Sequence, residues 1–173
     1  MSVIEIRYAL LSDAGLIADI SRQTFSETFA DSNTTADMEK FLNEQFTREA
    51  LMEEVSEPGS IFLLAFADGE PAGYVRKREG ESYPEFEDMP AIEIARIYAL
   101  KKMIGKGVGS ALMQACISIA IENRRRIIWL GVWERNERAI AFYRKWGFEK
   151  FSGHDFVLGN DIQHDWLMMK YLP

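Results

Sequence analysis

Cysteine and histidine are scarce in this chain of 173 residues, which carries one cysteine, Cys116, and two histidines, His154 and His164. One cysteine cannot form an internal disulfide, and two well-separated histidines with one cysteine are too few for a metal cluster of those residue types. The scarcity excludes a disulfide framework, predicts no metal site and fits a reducing compartment.

Positive charge is also in short supply. The 20 Lys and Arg residues are outnumbered by 27 Asp and Glu, which gives a formal net charge of -7. Binding to nucleic-acid phosphates needs a basic face, and the basic run 124–126 is better explained as the end of a helix, where the helix dipole favours cations. We therefore expect no nucleic-acid partner and regard cationic partners as the natural complement.

Long apolar runs are missing as well. No segment approaches the roughly 18 consecutive apolar residues of a membrane-spanning helix. Residues 1–7 have neither the apolar core nor the small-residue cleavage site of a secretion signal. These absences predict a cytoplasmic protein with no membrane partner.

What the chain does contain is material for one sizeable core, since 47% of its residues are hydrophobic and 12% aromatic. We expect a single α/β (α+β) domain over residues 1–173. Periodicity and turn residues predict the order β, α, α, β, β, β, α, β, α, β, β, with the second helix in two pieces. The apolar run 61–67 predicts a central strand covered on both faces, and the acidic, turn-rich segment 79–90 predicts an exposed loop.

A glycine-rich segment stands between a predicted strand and a predicted helix. Gly105, Gly107 and Gly109 alternate there, and glycines let the backbone approach an anion while the first amides of the helix point donors at it. A Walker loop would need Ser or Thr where Gly107 stands, and a dinucleotide fingerprint would need Gly or Ala in place of Ser110 or Leu112. A phosphate-binding loop of another kind and a simple tight turn remain open.

A second motif follows about thirty residues later, where residues 136–148 read N-E-R-A-I-A-F-Y-R-K-W-G-F. Asn136 predicts the N-cap of a helix and Gly147 its left-handed end. Asn136, Ile140 and Tyr143 have the spacing i, i+4 and i+7, which places them on one helix face.

These two segments resemble the motifs of the GNAT superfamily of N-acetyltransferases: the Gln/Arg-x-x-Gly-x-Gly/Ala loop that binds the coenzyme A pyrophosphate, and the Asn-x-x-Ala-x-x-Phe-Tyr-x-x-x-Gly-Phe helix. The predicted element order is similar to the superfamily fold across essentially the whole chain. Segments 93–98 and 129–134 are also similar to PaiA-like polyamine acetyltransferases. The chain departs from the pattern at Ile104, where the family usually has Gln or Arg, and at Ala95, where PaiA-like chains can carry a second glutamate.

The resemblance implies the GNAT fold, a mixed central sheet of about seven strands with a splayed central pair and about four helices. It implies acetyl-CoA as cosubstrate and no metal. The pantetheine arm would pair with the first splayed strand and touch Asn136, the pyrophosphate would lie on the glycine loop, and Lys145 would reach the outer phosphates. The coenzyme-binding residues implied in this way are Ile97, Tyr98, Ala99, Gly105, Lys106, Gly107, Val108, Gly109, Ser110, Asn136 and Lys145.

An amine must be neutral to attack a thioester, yet a pKa of about 10.4 leaves only on the order of one alkylammonium in a thousand neutral at pH 7. The resemblance assigns Glu93 as the general base, acting through water, and the alternative is a carboxylate paired with a nearby arginine. Tyr143 occupies the family position of the acid that protonates the departing thiolate, and the alternative is a core tyrosine. Cys116 is interpreted as a buried structural thiol, so direct transfer is expected.

Carboxylates and aromatic residues occupy segments that form the acceptor pocket in this fold: Phe25, Glu27, Phe29, Asp31, Glu39, the loop 79–88, Trp133 and Glu134. Such a lining suits a polycation, so spermidine or spermine is the leading acceptor, although acidic residues also simply keep proteins soluble. Protein N-termini, lysine, another small amine such as an aminoglycoside, and a non-catalytic acyl-CoA-binding regulatory module are the alternatives. The family often dimerises, so a homodimer is also expected; the two histidines, predicted to flank a turn, receive no role.

Overall fold

The computed structural model describes residues 2–173, and within them seven strands form one mixed sheet with five α-helices around it. In chain order the elements are β1 (Ile4–Tyr8), α1 (Ala14–Phe29), α2 (Thr35–Gln45), α3 (Arg48–Ser56), β2 (Ile61–Ala67), β3 (Glu70–Arg78), β4 (Ala91–Ala99), α4 (Val108–Glu122), β5 (Ile127–Trp133), α5 (Glu137–Lys145), β6 (Glu149–Leu158) and β7 (Asp161–Tyr171). The predicted seven-stranded fold is confirmed. None of the helices in the described range has the length and apolar character needed to cross a bilayer.

The five helices, against about four expected, arise because the predicted second helix is divided. The Thr34 hydroxyl accepts a hydrogen bond from the Asp37 amide at 3.1 Å and caps α2. The Thr47 hydroxyl does the same for the Ala50 amide and caps α3. A new N-cap begins a new helix, so the two pieces have separate axes.

The strands are arranged in the order β1-β2-β3-β4-β5-β7-β6. Neighbouring strands are antiparallel except for β4 and β5, which run parallel. A parallel pair needs a crossover between its strands, and α4 provides it. The parallel pair therefore stands at the middle of the sheet.

Helices cover both faces of the sheet. Leu63 and Val75 belong to the core beneath α4, whereas Leu64 and Tyr74 belong to the core beneath α1. The expectation that β2 is a central strand was wrong, since it lies second from the edge, beside β1. Its apolar run reflects burial on both faces, which does not require a central position.

The loop 79–90 is less exposed than predicted. The Phe86 side chain is fully buried, and its ring lies 6.0 Å from the ring of Trp129. The Tyr83 ring lies 5.2 Å from the same tryptophan. The acidic residues of the segment favoured the prediction of an exposed loop, but these two aromatic side chains hold the loop against the sheet.

Lys77 is a buried cation in β3. Only 2% of its surface is exposed, and its ammonium group donates to the carbonyl oxygen of Cys116 at 3.4 Å. Burial lowers the pKa of Lys77 from its ordinary value of 10.5. Lys77→Met should therefore raise the free energy of unfolding at pH 7 by about 1–2 kcal/mol, because the unfolded lysine is hydrated and charged.

The sign of the pH dependence follows from the lowered pKa. Between the folded pKa and 10.5 the unfolded chain binds more protons, so wild-type stability should rise with pH through that window, and the variant should lack the rise. Urea unfolding at pH 7 and pH 9 measures both effects, with Lys102→Met on the exposed surface as the control. Equal stabilities of wild type and Lys77→Met at both pH values would contradict the prediction.

Candidate active site

The two central strands separate part-way along their length. Pairing of β4 with β5 begins at Ala91 and ends where Ile94 lies opposite Leu130. Beyond that point β4 stays paired with β3 as far as Ala99, while β5 stays paired with β7 as far as Trp133. A cleft opens between the strands, and the predicted splayed pair is confirmed.

A bulge in β4 lies where the separation begins. Ala95 is an extra residue opposite the step between residues 76 and 77 of β3. A bulge of this kind changes the face to which the following side chains point. As a result Arg96 donates to Glu54 of α3 at 2.6 Å, and Tyr98 packs beside the core beneath α1.

The cleft contains a cavity of about 920 Å³, near the upper end of the range of roughly 300–1,000 Å³ for small-molecule sites. Its walls come from the splayed strands β4 and β5, the start of α4, one side of α5, and single or few residues of α1, α2, α3, β3, β6 and β7. The predicted site residues that line it are Ile97, Tyr98, Ala99, Gly105, Gly107, Gly109, Ser110, Asn136 and Tyr143. The glycine loop and the α5 motif therefore meet in one place.

Four predicted site residues do not line this cavity. The Val108 side chain is fully buried in the core beneath α4, although its amide opens that helix. Lys106 and Lys145 are exposed outside the cavity. Glu93 is 8% exposed and lies beside it, behind Arg78.

The glycine loop has the conformation that an anion site needs. Gly105 and Gly107 have φ values of 80° and 90°, in the left-handed region that favours glycine. The helix α4 then begins without a side-chain cap, because Gly107 has no side chain to offer. The amides of Val108, Gly109 and Ser110 form its first turn and are free to donate to an external acceptor.

The α5 helix brings two polar side chains to the opposite wall. The Asn136 side-chain oxygen accepts from the Ala139 amide at 3.3 Å, which confirms the predicted cap and leaves the amide nitrogen of Asn136 available to donate. Tyr143, two turns later, is 7% exposed. Burial raises the pKa of the Tyr143 phenol well above its ordinary value, so this hydroxyl is a proton donor at neutral pH.

Glu93 is held by an arginine. The Arg78 guanidinium donates from Nε to one Glu93 oxygen at 2.6 Å and from Nη2 to the other at 3.3 Å. Arg78 lines the cavity and Glu93 does not. The ion pair considered as the alternative for Glu93 is present, and its role as general base stays a prediction.

Cys116 is fully buried in α4 and does not line the cavity. Burial raises the pKa of its thiol to about 12. A thiol that remains protonated and has no access to the cleft is a poor nucleophile. The predicted structural role of this cysteine agrees with its surroundings.

The acceptor end of the cavity differs from the expected lining. Phe25, Glu27, Phe29 and Trp133 line it as predicted. The Glu27 carboxylate already accepts from the Lys101 amide at 2.8 Å. Asp31, Glu39, Glu134 and the loop 79–88 do not reach the cavity.

Sequence reasoning missed three arginines at this end of the cavity: Arg76, Arg78 and Arg96. Arg76 and Arg96 share one oxygen of Glu54, at 3.3 Å and 2.6 Å. The sequence did contain a signal for two of them. Arg76 and Arg78 are two positions apart in a predicted strand, and such residues lie on one face of the strand. The bulge that turns Arg96 to the same face had no signal in the sequence.

Asp165 is a further cavity residue that sequence reasoning missed. It lies in β7 with its carboxylate 4.0 Å from Nε2 of His154. The two histidines flank the turn between the last strands as predicted, with His154 in β6 and His164 in β7. No group of three or more His, Cys, Asp or Glu side chains in the described part of the chain is arranged to hold a metal ion.

The sequence model of the acetyltransferase (GNAT) family matches residues 18–148, which include the glycine loop, both splayed strands and α5. This chain belongs to the GNAT acetyltransferase family. The match spans more than half of the chain and contains every residue predicted at the site.

Relatives of this GNAT protein are themselves named as N-acetyltransferases. An uncharacterized N-acetyltransferase of Lactobacillus delbrueckii subsp. lactis is 40% identical over 153 residues, which cover 88% of this chain and 88% of the relative. The spermidine N(1)-acetyltransferase of Thermoplasma acidophilum is 25% identical over 161 residues, which cover 90% and 95%. The predicted N-acetyltransferase activity is confirmed at this level.

The fold of this acetyltransferase is similar to that of a solved relative. The crystal structure of PaiA N-acetyltransferase from Thermoplasma acidophilum in complex with coenzyme A superimposes with a TM-score of 0.79 at 23% identity, covering 98% of this chain and 99% of that one. The GNAT fold is confirmed, and the resemblance to PaiA-like proteins is supported.

Proposed function

We propose that this N-acetyltransferase binds acetyl-CoA in the cleft between β4 and β5 and acetylates a primary amine by direct attack. The proposal rests on three features that line one cavity. They are the uncapped amides at the start of α4, the unpaired edge of β4 at residues 97–99, and the Tyr143 phenol. A buried thiol at Cys116 argues against a covalent acetyl-enzyme route.

The donor set of the cleft fits the coenzyme. Within residues 105–110 the Lys106 amide donates to the Met103 carbonyl oxygen at 3.2 Å, and the other amides, at or beside the positive end of α4, suit a diphosphate. The free backbone edge of Ile97 and Ala99 suits an extended amide-bearing arm, and the Asn136 side chain can donate to the same arm. Acetyl-CoA supplies the activated acetyl group as a thioester.

Tyr143 is proposed to donate its proton to the departing sulfur. Its raised pKa keeps the phenol protonated, and its position on the cavity wall beside the glycine loop suits this role. Lys145, exposed outside the cavity, remains the predicted contact of the outer phosphates, and Lys106 remains a predicted residue of the loop that binds the pyrophosphate.

Glu93 remains a predicted general base, tested by the pH profile of Glu93→Gln. The ion pair favours another role, because both carboxylate oxygens are bound by Arg78. In that role Glu93 is a positioning residue that holds Arg78 at the cavity wall. An unchanged pH dependence of kcat/KM in Glu93→Gln removes it as base.

For the acceptor we propose a polyamine such as spermidine or spermine. The relative named as a spermidine N(1)-acetyltransferase supports this choice. So do the carboxylates of Glu27 and Asp165 and the aromatic walls at Phe29 and Trp133, which suit a chain of ammonium groups.

A second acceptor class is an amine that also carries an anionic group, such as an amino acid or a peptide terminus. The observation that favours it is the row of guanidinium groups from Arg76, Arg78 and Arg96 along the cavity wall. Guanidinium groups bind carboxylates and phosphates in bidentate fashion. Each of these guanidinium groups is also paired with a carboxylate, of Glu54, Glu57 or Glu93, so an anionic ligand must compete with those pairs.

Coenzyme A release measured with a thiol reagent separates these acceptors. The panel consists of spermidine, spermine, glutamate and an alanine-initiated peptide, each at low and high salt. A polyamine acceptor should give the fastest release with spermidine and lose rate with added salt, whereas fastest release with glutamate or the peptide favours the second class. Tight acetyl-CoA binding with no amine-dependent release would contradict the enzymatic proposal and favour a regulatory acyl-CoA-binding module. The cytoplasmic location and the homodimer stay predictions.

A further inference from the structure

Asp165 is a carboxylate whose capacity to accept hydrogen bonds is not used by the fold. It lies in β7 directly opposite Trp133 of β5, and both residues line the acceptor end of the cavity. Its side chain keeps 15% of its surface exposed. None of the hydrogen bonds among residues 2–173 ends on this carboxylate, so its oxygens are free for a ligand.

The chain leaves an open approach to this carboxylate. Gly131 stands in the middle of β5, where its neighbours Leu130 and Val132 are buried, yet Gly131 itself is exposed to the cavity. A Cβ at that position would lie 3.6 Å from Oδ2 of Asp165. A larger side chain there would occupy the space in front of the carboxylate, and glycine keeps it free.

The surroundings of Asp165 connect it both to the reaction centre and to solvent. Asp165, Tyr98 and Tyr143 line the same cavity, and Asp165 makes one of the smaller contributions to the raised pKa of the Tyr98 phenol, after burial. On the other side, Nε2 of His154 lies 4.0 Å from Asp165, and the His154 side chain is 46% exposed.

Building on the proposed function, we infer that Asp165 receives the ammonium group of the acceptor and removes one proton from it, with His154 passing that proton to solvent. In this step an N–H bond of the ammonium breaks and an O–H bond forms on Asp165. The neutral nitrogen then forms the C–N bond as the C–S bond of the thioester breaks. Tyr143 protonates the departing sulfur, and the second proton lost by the nitrogen restores the Tyr143 phenol. The assignment applies to either acceptor class, since both present an ammonium group.

The ionisation of Asp165 is consistent with this role. Burial raises the pKa of its carboxyl, and the nearby His154 and His164 oppose the shift. A carboxylate with a raised pKa is a stronger base than an ordinary one. Tyr98, Tyr143 and Arg138 line the cavity together with Asp165, whereas His154 and His164 lie outside its lining.

The test is Asp165→Asn, which keeps the shape and removes the charge. With spermidine as acceptor, kcat/KM at pH 7 should fall on the order of 100-fold. The dependence of kcat/KM on pH should also change. In wild type kcat/KM should be constant below the amine pKa, whereas in the variant it should rise tenfold per pH unit, because the variant reacts only with amine that is already neutral. Affinity for acetyl-CoA should not change.

A binding measurement makes the test independent of turnover. Calorimetric titration of spermidine into the complex with coenzyme A should show on the order of 10-fold weaker binding by Asp165→Asn than by wild type. The matched control is Asp155→Asn, which alters the neighbouring Asp155–His164 pair, 3.5 Å apart and outside the cavity. It should match wild type in both measurements.

Different results would contradict the proposed function and the role of Asp165. If wild type releases no thiol with any amine, the proposed function fails, and the spermidine titration still decides the role of Asp165. If wild type is active and Asp165→Asn keeps its rate, pH profile and spermidine affinity, the inference is overturned and the proposed function stands. A loss shared equally by Asp155→Asn also overturns it.

Discussion

Ser110→Asp is expected to lower the affinity for acetyl-CoA on the order of 1000-fold while leaving the fold intact. Ser110 is the third residue of α4 and lines the cavity where the diphosphate is proposed to lie. Two like charges about 4 Å apart repel by about 4 kcal/mol at an effective dielectric constant near 20, and about 1.4 kcal/mol corresponds to a factor of ten in Kd. Calorimetric titration with acetyl-CoA measures the effect.

The position of Ser110 in the first turn of α4 argues against loss of folding as the cause of this loss of binding. An acidic residue in the first turn of a helix is stabilising by roughly 0.3–1 kcal/mol, so thermal unfolding of Ser110→Asp should occur at or above the wild-type temperature. Ser110→Asn is the neutral control of the same shape and should bind acetyl-CoA nearly as well as wild type. An aspartate variant that binds like wild type would remove the diphosphate from the start of α4.

Tyr143→Phe is expected to reduce kcat on the order of 1000-fold with acetyl-CoA affinity unchanged, within the range of roughly 100-fold to 10,000-fold for a general acid. The phenylalanine ring fills the same space beside Phe142 and Phe148, so packing is preserved and only the proton donor is lost. Steady-state kinetics give kcat, and calorimetry gives the affinity.

The pH profile adds a second readout for Tyr143. Because burial raises the pKa of this phenol, wild-type activity should show no alkaline loss due to Tyr143 through pH 9. Tyr171→Phe, which alters an exposed tyrosine of β7, is the control and should keep full activity. Full turnover by Tyr143→Phe would show that the hydroxyl is only a core group.

The coenzyme half of the site was readable from the sequence because it depends on local backbone chemistry. Alternating glycines at residues 105–109 predict left-handed turns and an uncapped helix start wherever they occur. Asn136 and Tyr143 are fixed by the helical repeat once the cap is known. The structure brings both segments to one cavity, as the resemblance implied.

The acceptor half was predicted only in part: Phe25, Glu27, Phe29 and Trp133 line it as expected, but its other residues depend on which face a strand presents after an irregularity. The bulge at Ala95 shifts the alternation of β4, so that Arg96 and Tyr98 share a face with Glu93. Asp165 comes from the last strand and meets the cavity through the order of strands in the sheet. Neither the bulge nor the strand order has a local sequence pattern.

The positions of acidic residues in the sequence also did not predict which carboxylates line the acceptor end of the cavity. The acidic residues Asp31, Glu39 and Glu134 are exposed away from the cavity, whereas Glu54 is drawn into it by two arginines. Composition reports how many carboxylates a chain has, and tertiary packing decides which of them line a site.

A crystal structure of the protein with coenzyme A bound tests the central claim most directly. We expect diphosphate oxygens within hydrogen-bonding distance of the amides of residues 105–110, with the pantetheine arm alongside Ile97 and Ala99 and its sulfur near the Tyr143 hydroxyl. Phosphates bound elsewhere, or an arm that leaves the edge of β4 free, would contradict it.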